Sequence, residues 1–173
     1  MIEHLIEDLL VREGGYVDIL EDKGGPTKFG ITVATLREWR GLPCSRECVR
    51  DMFKKEAVDI YRAKYWTDPK IDQLGMSEAL QGMVFDAGVN HGVSRAVKML
   101  QDALGLYADG VIGPKTMAAV QGYKNKGPKL AAAFMAERVE FYGAILSNNH
   151  EQAKFALGWL RRCAEFIEDI PDA

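Results

Sequence analysis

From residue 45 onward the apolar residues of this chain recur at three- and four-residue intervals in one stretch after another, most stretches opening at serine or proline. That punctuation permits helices of ordinary length and little else. The spacing predicts a long helix from Ser45 to about Tyr65, and another after Ser77 to about Val89. A third is capped by Ser94 and ends at Gly105, and a short one opens at Pro114 and runs to about Gln121. The longest runs from Pro128 to about Leu146, and the last from near Gln152 to Ile167. At the N-terminus Ile2, Leu5, Ile6, Leu9 and Leu10 share one helical face, and Gly14-Gly15 ends that helix near Glu13. Residues 16 to 32 break the pattern with dense Asp, Gly and Pro, so a loop or short hairpin follows the first helix. The class is mainly α.

With 47% hydrophobic and 27% charged residues in a chain of 173, there is apolar surface enough for a real core. No repeat or low-complexity linker divides it. The chain reads as one globule with an N-terminal part, residues 1–92, and a C-terminal helical lobe, residues 93–173. The net charge is -3, with 22 basic residues interleaved among 25 acidic ones, so no basic face offers itself to nucleic acid. Glu3, Glu7 and Asp8 interrupt the first apolar stretch, and no apolar run approaches the roughly 18 residues of a membrane span. Neither a signal peptide nor membrane insertion is expected. The three cysteines, Cys44, Cys48 and Cys163, are odd in number and read as small buried or half-buried thiols. No Cys/His cluster has zinc spacing, and Lys23 stands where a calcium loop needs glycine, so neither metal nor other cofactor is expected.

Glu13 lies three residues after Leu10, four after Leu9 and seven after Ile6, on the apolar stripe of the first helix. A carboxylate there is expected to face the core or a cleft. Burial and the negative end of the helix dipole would both disfavour its anion, which suits a general acid. Asp22 follows in a polar, glycine-rich segment where it should stay ionised. Two carboxylates in contrasting surroundings are what glycoside cleavage commonly uses. The Thr27 hydroxyl is a candidate to hold a water or a sugar oxygen.

Arg12-Glu13-Gly14-Gly15-Tyr16, followed by Asp22, Gly24-Gly25-Pro26-Thr27 and Phe29-Gly30-Ile31-Thr32, resembles the signature of glycoside hydrolase family 108, the N-acetylmuramidases. The Glu13, Asp22 and Thr27 spacing also resembles that of phage-type lysozymes, with Thr27 one position nearer. Phe85 to Gly92 is similar to the family's central helix segment. Asp109 to Thr116 resembles its peptidoglycan-binding region, and Gly158 to Arg162 its closing motif. At Ile19-Leu20 the chain departs from the Asp-Pro that relatives tend to carry.

The resemblance implies a lysozyme-like helical fold, with the catalytic part in residues 1–92 and a peptidoglycan-binding lobe in residues 93–173. It implies a phage-lysis enzyme of the endolysin type that cleaves the β-1,4 bond between N-acetylmuramic acid and N-acetylglucosamine. Glu13 carries over as the acid, with Asp22 and Thr27 assisting and the glycan lying between the first helix with its loop and the C-terminal lobe. Tyr16, Tyr65, Trp66 and Asn90 are the candidate sugar contacts; core packing is an equal expectation for Tyr65 and Trp66. His91 reads as a buried polar cap. Two other readings stand beside this one: a lytic transglycosylase, and a non-catalytic peptidoglycan-binding or secretion accessory protein. The expected life history is synthesis in the host cytoplasm and action on the wall after release, through a holin or an exporter.

Overall fold

A computed structural model describes residues 2–18, 25–123 and 125–170. The chain divides into two compact units, the first ending at Lys64 and the second beginning at Tyr65. The fold is mainly α, as the punctuated spacing predicts.

In the first unit, α1 (Ile2–Glu13) buries Ile6, Leu9 and Leu10, the stripe read from the sequence. It stops at Gly14, whose φ of +76° is left-handed and whose N–H donates to Leu10 O at 3.2 Å. The hairpin region is a small antiparallel sheet of β1 (Tyr16–Val17), β2 (Thr27–Lys28) and β3 (Ile31–Thr32) in that order. Tyr16 faces Lys28 and Val17 faces Thr27, while Thr27 faces Thr32 and Lys28 faces Ile31. Asp22, with the Ile19-Leu20 departure, lies outside the described residues. β2 and β3 are joined by Phe29 and Gly30, both with positive φ, +53° and +73°. Two such residues give a turn whose twist matches the strands, and Phe29 adopts it at some cost in strain.

α2 (Val33–Arg40) was not anticipated, although its signals are present. Thr32 Oγ1 accepts from Thr35 N–H at 3.1 Å, and Gly41 closes the helix at φ +65°. The single helix expected from Ser45 to Tyr65 is instead two, α3 (Arg46–Arg50) and α4 (Lys54–Arg62). No glycine or proline marks the break. Its cause is tertiary: α3 packs on β2 and α2, whereas α4 packs on α1.

The chain enters the second unit through a π-turn, Ala63–Thr67, and a 3₁₀ turn, Ile71–Gln73. α5 (Glu78–His91) starts at Ser77, whose hydroxyl accepts from Leu80 N–H, and is buried almost without interruption from Gly82 to Gly88. A helix apolar on all sides belongs inside, and this one is the unit's centre. α6 (Val93–Ala103) is entered through Gly92 at φ +85°, so Ser94, expected as the cap, sits within the first turn. α7 (Pro114–Gly122) opens at its proline, α8 (Gly127–Asn148) is the longest helix, and α9 (Ala153–Glu168) packs along α8. Among the described residues no helix is long and apolar enough to cross a membrane.

Candidate active site

Glu13 is the last residue of α1, and its side chain is exposed rather than turned into the core. The stripe reading holds for Ile6, Leu9 and Leu10 and fails one turn later, because α1 ends there and its final residue overhangs the sheet. What stands beside the carboxylate is the β2–β3 turn. A Cβ built on Gly30 would lie 2.8 Å from Glu13 Oε2 and 2.6 Å from the Tyr61 hydroxyl. Only glycine lets both oxygens approach the turn so closely. Phe29 N–H donates to Gly14 O at 3.2 Å, tying the turn to the residue after Glu13. The hydroxyl of Tyr61, on α4 and 4% exposed, donates to Phe29 O at 3.0 Å. Helix end, turn and α4 thus fix one another around a reachable carboxylate.

The rest of the small sheet is polar. Thr27 is half-buried at the centre of β2, between Val17 and Thr32. The hydroxyl of Tyr16 donates to Asp18 Oδ2 at 2.9 Å, and Asp18 also accepts from Arg46 Nη1 at 3.2 Å. Slight desolvation and the bond to Asp18 hold the Tyr16 phenol above its usual range. Lys28 Nζ donates to Arg50 O at 2.6 Å, fastening β2 to the end of α3. Among the described residues no group of three or more acidic, histidine or cysteine side chains is arranged to hold a metal.

The other named candidates belong to the second unit. Tyr65 is half-buried, and a Cβ built on Gly88 would lie 3.9 Å from its ring. Trp66 is 8% exposed and meets Phe85 edge-on at 6.4 Å, so its ring is core. Asn90 is exposed, with its amide donating back to Asp86 O at 2.8 Å. His91 Nε2 lies 2.9 Å from the Tyr142 hydroxyl and against the rings of Phe141 and Tyr142. Burial, helped by the Arg138 charge, lowers its pKa to about 4, leaving a neutral imidazole at neutral pH.

One carboxylate of this unit went unremarked in the sequence. Asp86, 6% exposed, accepts from Arg138 Nη2 at 2.6 Å, from Arg162 Nε at 2.8 Å and from Arg162 Nη2. Burial opposes its charge, but the Arg162 bonds and the two guanidinium charges win and hold its pKa below the usual range. Arg138 is fully buried, and among the described residues its Nε and Nη1 have no hydrogen-bond partner; the rings of Tyr142 and Phe166 lie 5.8 and 5.9 Å from the guanidinium carbon. The ion pair explains why the Phe85 to Gly92 and Gly158 to Arg162 segments go together: it joins them.

The Asp109 to Thr116 segment is likewise used internally. Gln101, 2% exposed, donates to Asp109 Oδ1 at 2.8 Å, Val111 O at 3.0 Å and Thr116 Oγ1 at 3.1 Å, and accepts from Gly110 N–H at 2.8 Å. One side chain holds the whole loop. Of the residues that build the site, sequence reasoning missed Tyr61 and the turn role of Gly30. The signal for Gly30 was present, since a lone glycine between two short β-prone pairs marks a close backbone approach.

Two family models match the chain. Residues 6–92 match the family model described as glycosyl hydrolase 108, and residues 95–164 match one described as a predicted peptidoglycan domain. Among solved structures the chain is similar to SagA of Brucella abortus, at 33% identity and a TM-score of 0.77, covering 98% of this chain and 92% of that one. No curated protein matches.

Proposed function

Because this chain belongs to the glycosyl hydrolase 108 family and is a peptidoglycan hydrolase, we propose that it is a muramidase of the endolysin type with Glu13 as its general acid. The bond it cuts, on this reading, is the β-1,4 link between N-acetylmuramic acid and N-acetylglucosamine. One observation carries the assignment. The Glu13 carboxylate is accessible yet held against Gly30, beside a buried tyrosine hydroxyl, so it can meet a substrate oxygen while its position stays defined.

Glu13 delivers a proton to the leaving glycosidic oxygen. Tyr61 acts as a positioning residue: its hydroxyl pins the turn that limits where the carboxylate can go. Asp22 supplies the second carboxylate, stabilising developing positive charge or orienting water, and Thr27 holds that water or a sugar oxygen. Tyr16, at the edge of the same sheet, offers a ring face to a sugar. In this reading the protein works on the wall after leaving the cytoplasm in which it is made, through a phage holin or a bacterial exporter.

Mass spectrometry of fragments released from purified sacculi tests this. Reducing N-acetylmuramic acid ends, absent from a Glu13→Gln digest, are the expected result. Anhydro ends would identify a lytic transglycosylase. Binding to sacculi without any fragment would favour the non-catalytic accessory protein.

A further inference from the structure

The last helix has two apolar faces, and the described residues cover only one. Toward α8 and α5, α9 presents Trp159, stacked on Tyr142 of α8 with ring centroids 4.9 Å apart, Arg162 on Asp86 of α5, and the buried Cys163. Roughly a third of a turn away lies a second row, Ala153, Leu157, Leu160, Ala164 and Ile167. Every member of that row is exposed, Leu157 by 60%, Leu160 by 47% and Ile167 by 49%.

The spacing of the row is four, three, four, three, which is the seam of a helix that packs against another helix rather than against solvent. An ordinary surface helix has one apolar stripe. The row runs the length of α9, about 24 Å for its 16 residues.

Charge selects the occupant. Along the outer flank of the row stand Lys154 in the first turn, Arg161 at mid-helix, and Glu165 and Glu168 in the C-terminal part, followed by Asp169. A second copy of the helix laid antiparallel brings Lys154 at one end opposite Glu165 and Glu168 at the other. A parallel copy would bring like to like. An anionic lipid surface would be repelled by the acidic end, although Lys154, Arg161 and the leucines would suit it.

We propose that the outer seam of α9 joins two copies of this chain in an antiparallel, two-fold-related pair. One helix pair is smaller than the roughly 1,200 Å² that marks a permanent interface, so the association is reversible and depends on concentration. Two linked copies would present two hydrolytic units to one wall.

Sedimentation of the full-length chain over a wide concentration range tests the proposal. A concentration-dependent dimer is expected, with its dissociation constant raised at least about tenfold by Leu157→Glu or Leu160→Glu. Circular dichroism confirms that these surface variants stay helical. A Lys154→Glu/Arg161→Glu variant should lose self-association and should pair with a Glu165→Lys/Glu168→Lys variant when mixed. A monomer at every concentration would overturn the proposal, and so would a dimer indifferent to all four variants. Wild-type binding to anionic phospholipid vesicles that Leu157→Glu abolishes, with no dimer in solution, would assign the seam to a membrane instead.

Discussion

Glu13 and Asp86 are the two acids around which this molecule is organised, and they are treated in opposite ways. Glu13 ends a helix at the surface and faces a two-residue turn, close to Gly30 and the Tyr61 hydroxyl. Asp86 sits in the middle of a buried helix, and both of its oxygens are taken by guanidinium groups. The contrast separates two uses of a carboxylate. One that moves protons must be reachable and must have lone pairs to spare; one that holds elements together is buried with its charge answered. Conspicuousness is no guide, since the more elaborately bonded acid is the structural one.

Removing the structural acid should have the largest effect on stability. Asp86→Ala leaves two guanidinium groups facing each other, one of them fully buried, and is expected to cost about 3–5 kcal/mol, read as a collapse of the thermal midpoint. A folded Asp86→Ala protein with a wild-type midpoint would break the comparison. Gln101→Ala should come next, at about 1–3 kcal/mol, because it orphans Thr116 and the loop groups that Gln101 satisfies. Hydrogen exchange should quicken at Gly110, whose N–H donates to Gln101, before anywhere else.

Gly30→Ala sharpens the other side. The change forces alanine into a left-handed conformation, for about 1–2 kcal/mol, and pushes on the Tyr61 hydroxyl and the Glu13 carboxylate. Sacculus clearing is expected to fall by at least about tenfold, more than the loss of folded protein explains. An unchanged rate would detach the turn from the chemistry.

The most gradual effect is a pH slope. His91 has a folded pKa of about 4, below the 6.5 of an ordinary histidine, so the unfolded chain binds the extra proton between those values. Stability should therefore fall as pH drops from about 6.5 to about 4, by no more than about 1.4 kcal/mol per pH unit. Asp86, with its folded pKa lowered, keeps its contribution until the pH falls below the ordinary carboxylate range. Denaturant unfolding of wild type and His91→Gln at pH 4.5 and 7 measures this. Equal slopes would remove His91 from the account.

Much of the fold could be read from punctuation. Gly14 ends α1, Pro114 opens α7, and the stretches around Pro128 and Gln152 became α8 and α9 within a residue or two. Where reading failed, the cause was tertiary. Nothing local divides α3 from α4, which separate because one packs on β2 and the other on α1. α2 was passed over because it hides in a glycine-rich neighbourhood, though Thr32 and Gly41 cap it at both ends. At the site, Glu13 was visible from its motif, yet its surroundings were misjudged: a stripe drawn through Leu9 and Leu10 continues to Glu13 on paper, while the helix does not continue to bury it. Tyr61 is 48 residues away in the chain, since 61 less 13 is 48, and no spacing rule reaches that far.

The most direct test is to measure clearing rate and thermal midpoint together for wild type and Glu13→Gln on purified sacculi. Removal of a general acid that is not part of the framework should cut the rate about 10²–10⁴-fold and move the midpoint by no more than a degree or two. A folded Glu13→Gln enzyme that still clears sacculi at more than a tenth of the wild-type rate would contradict the account.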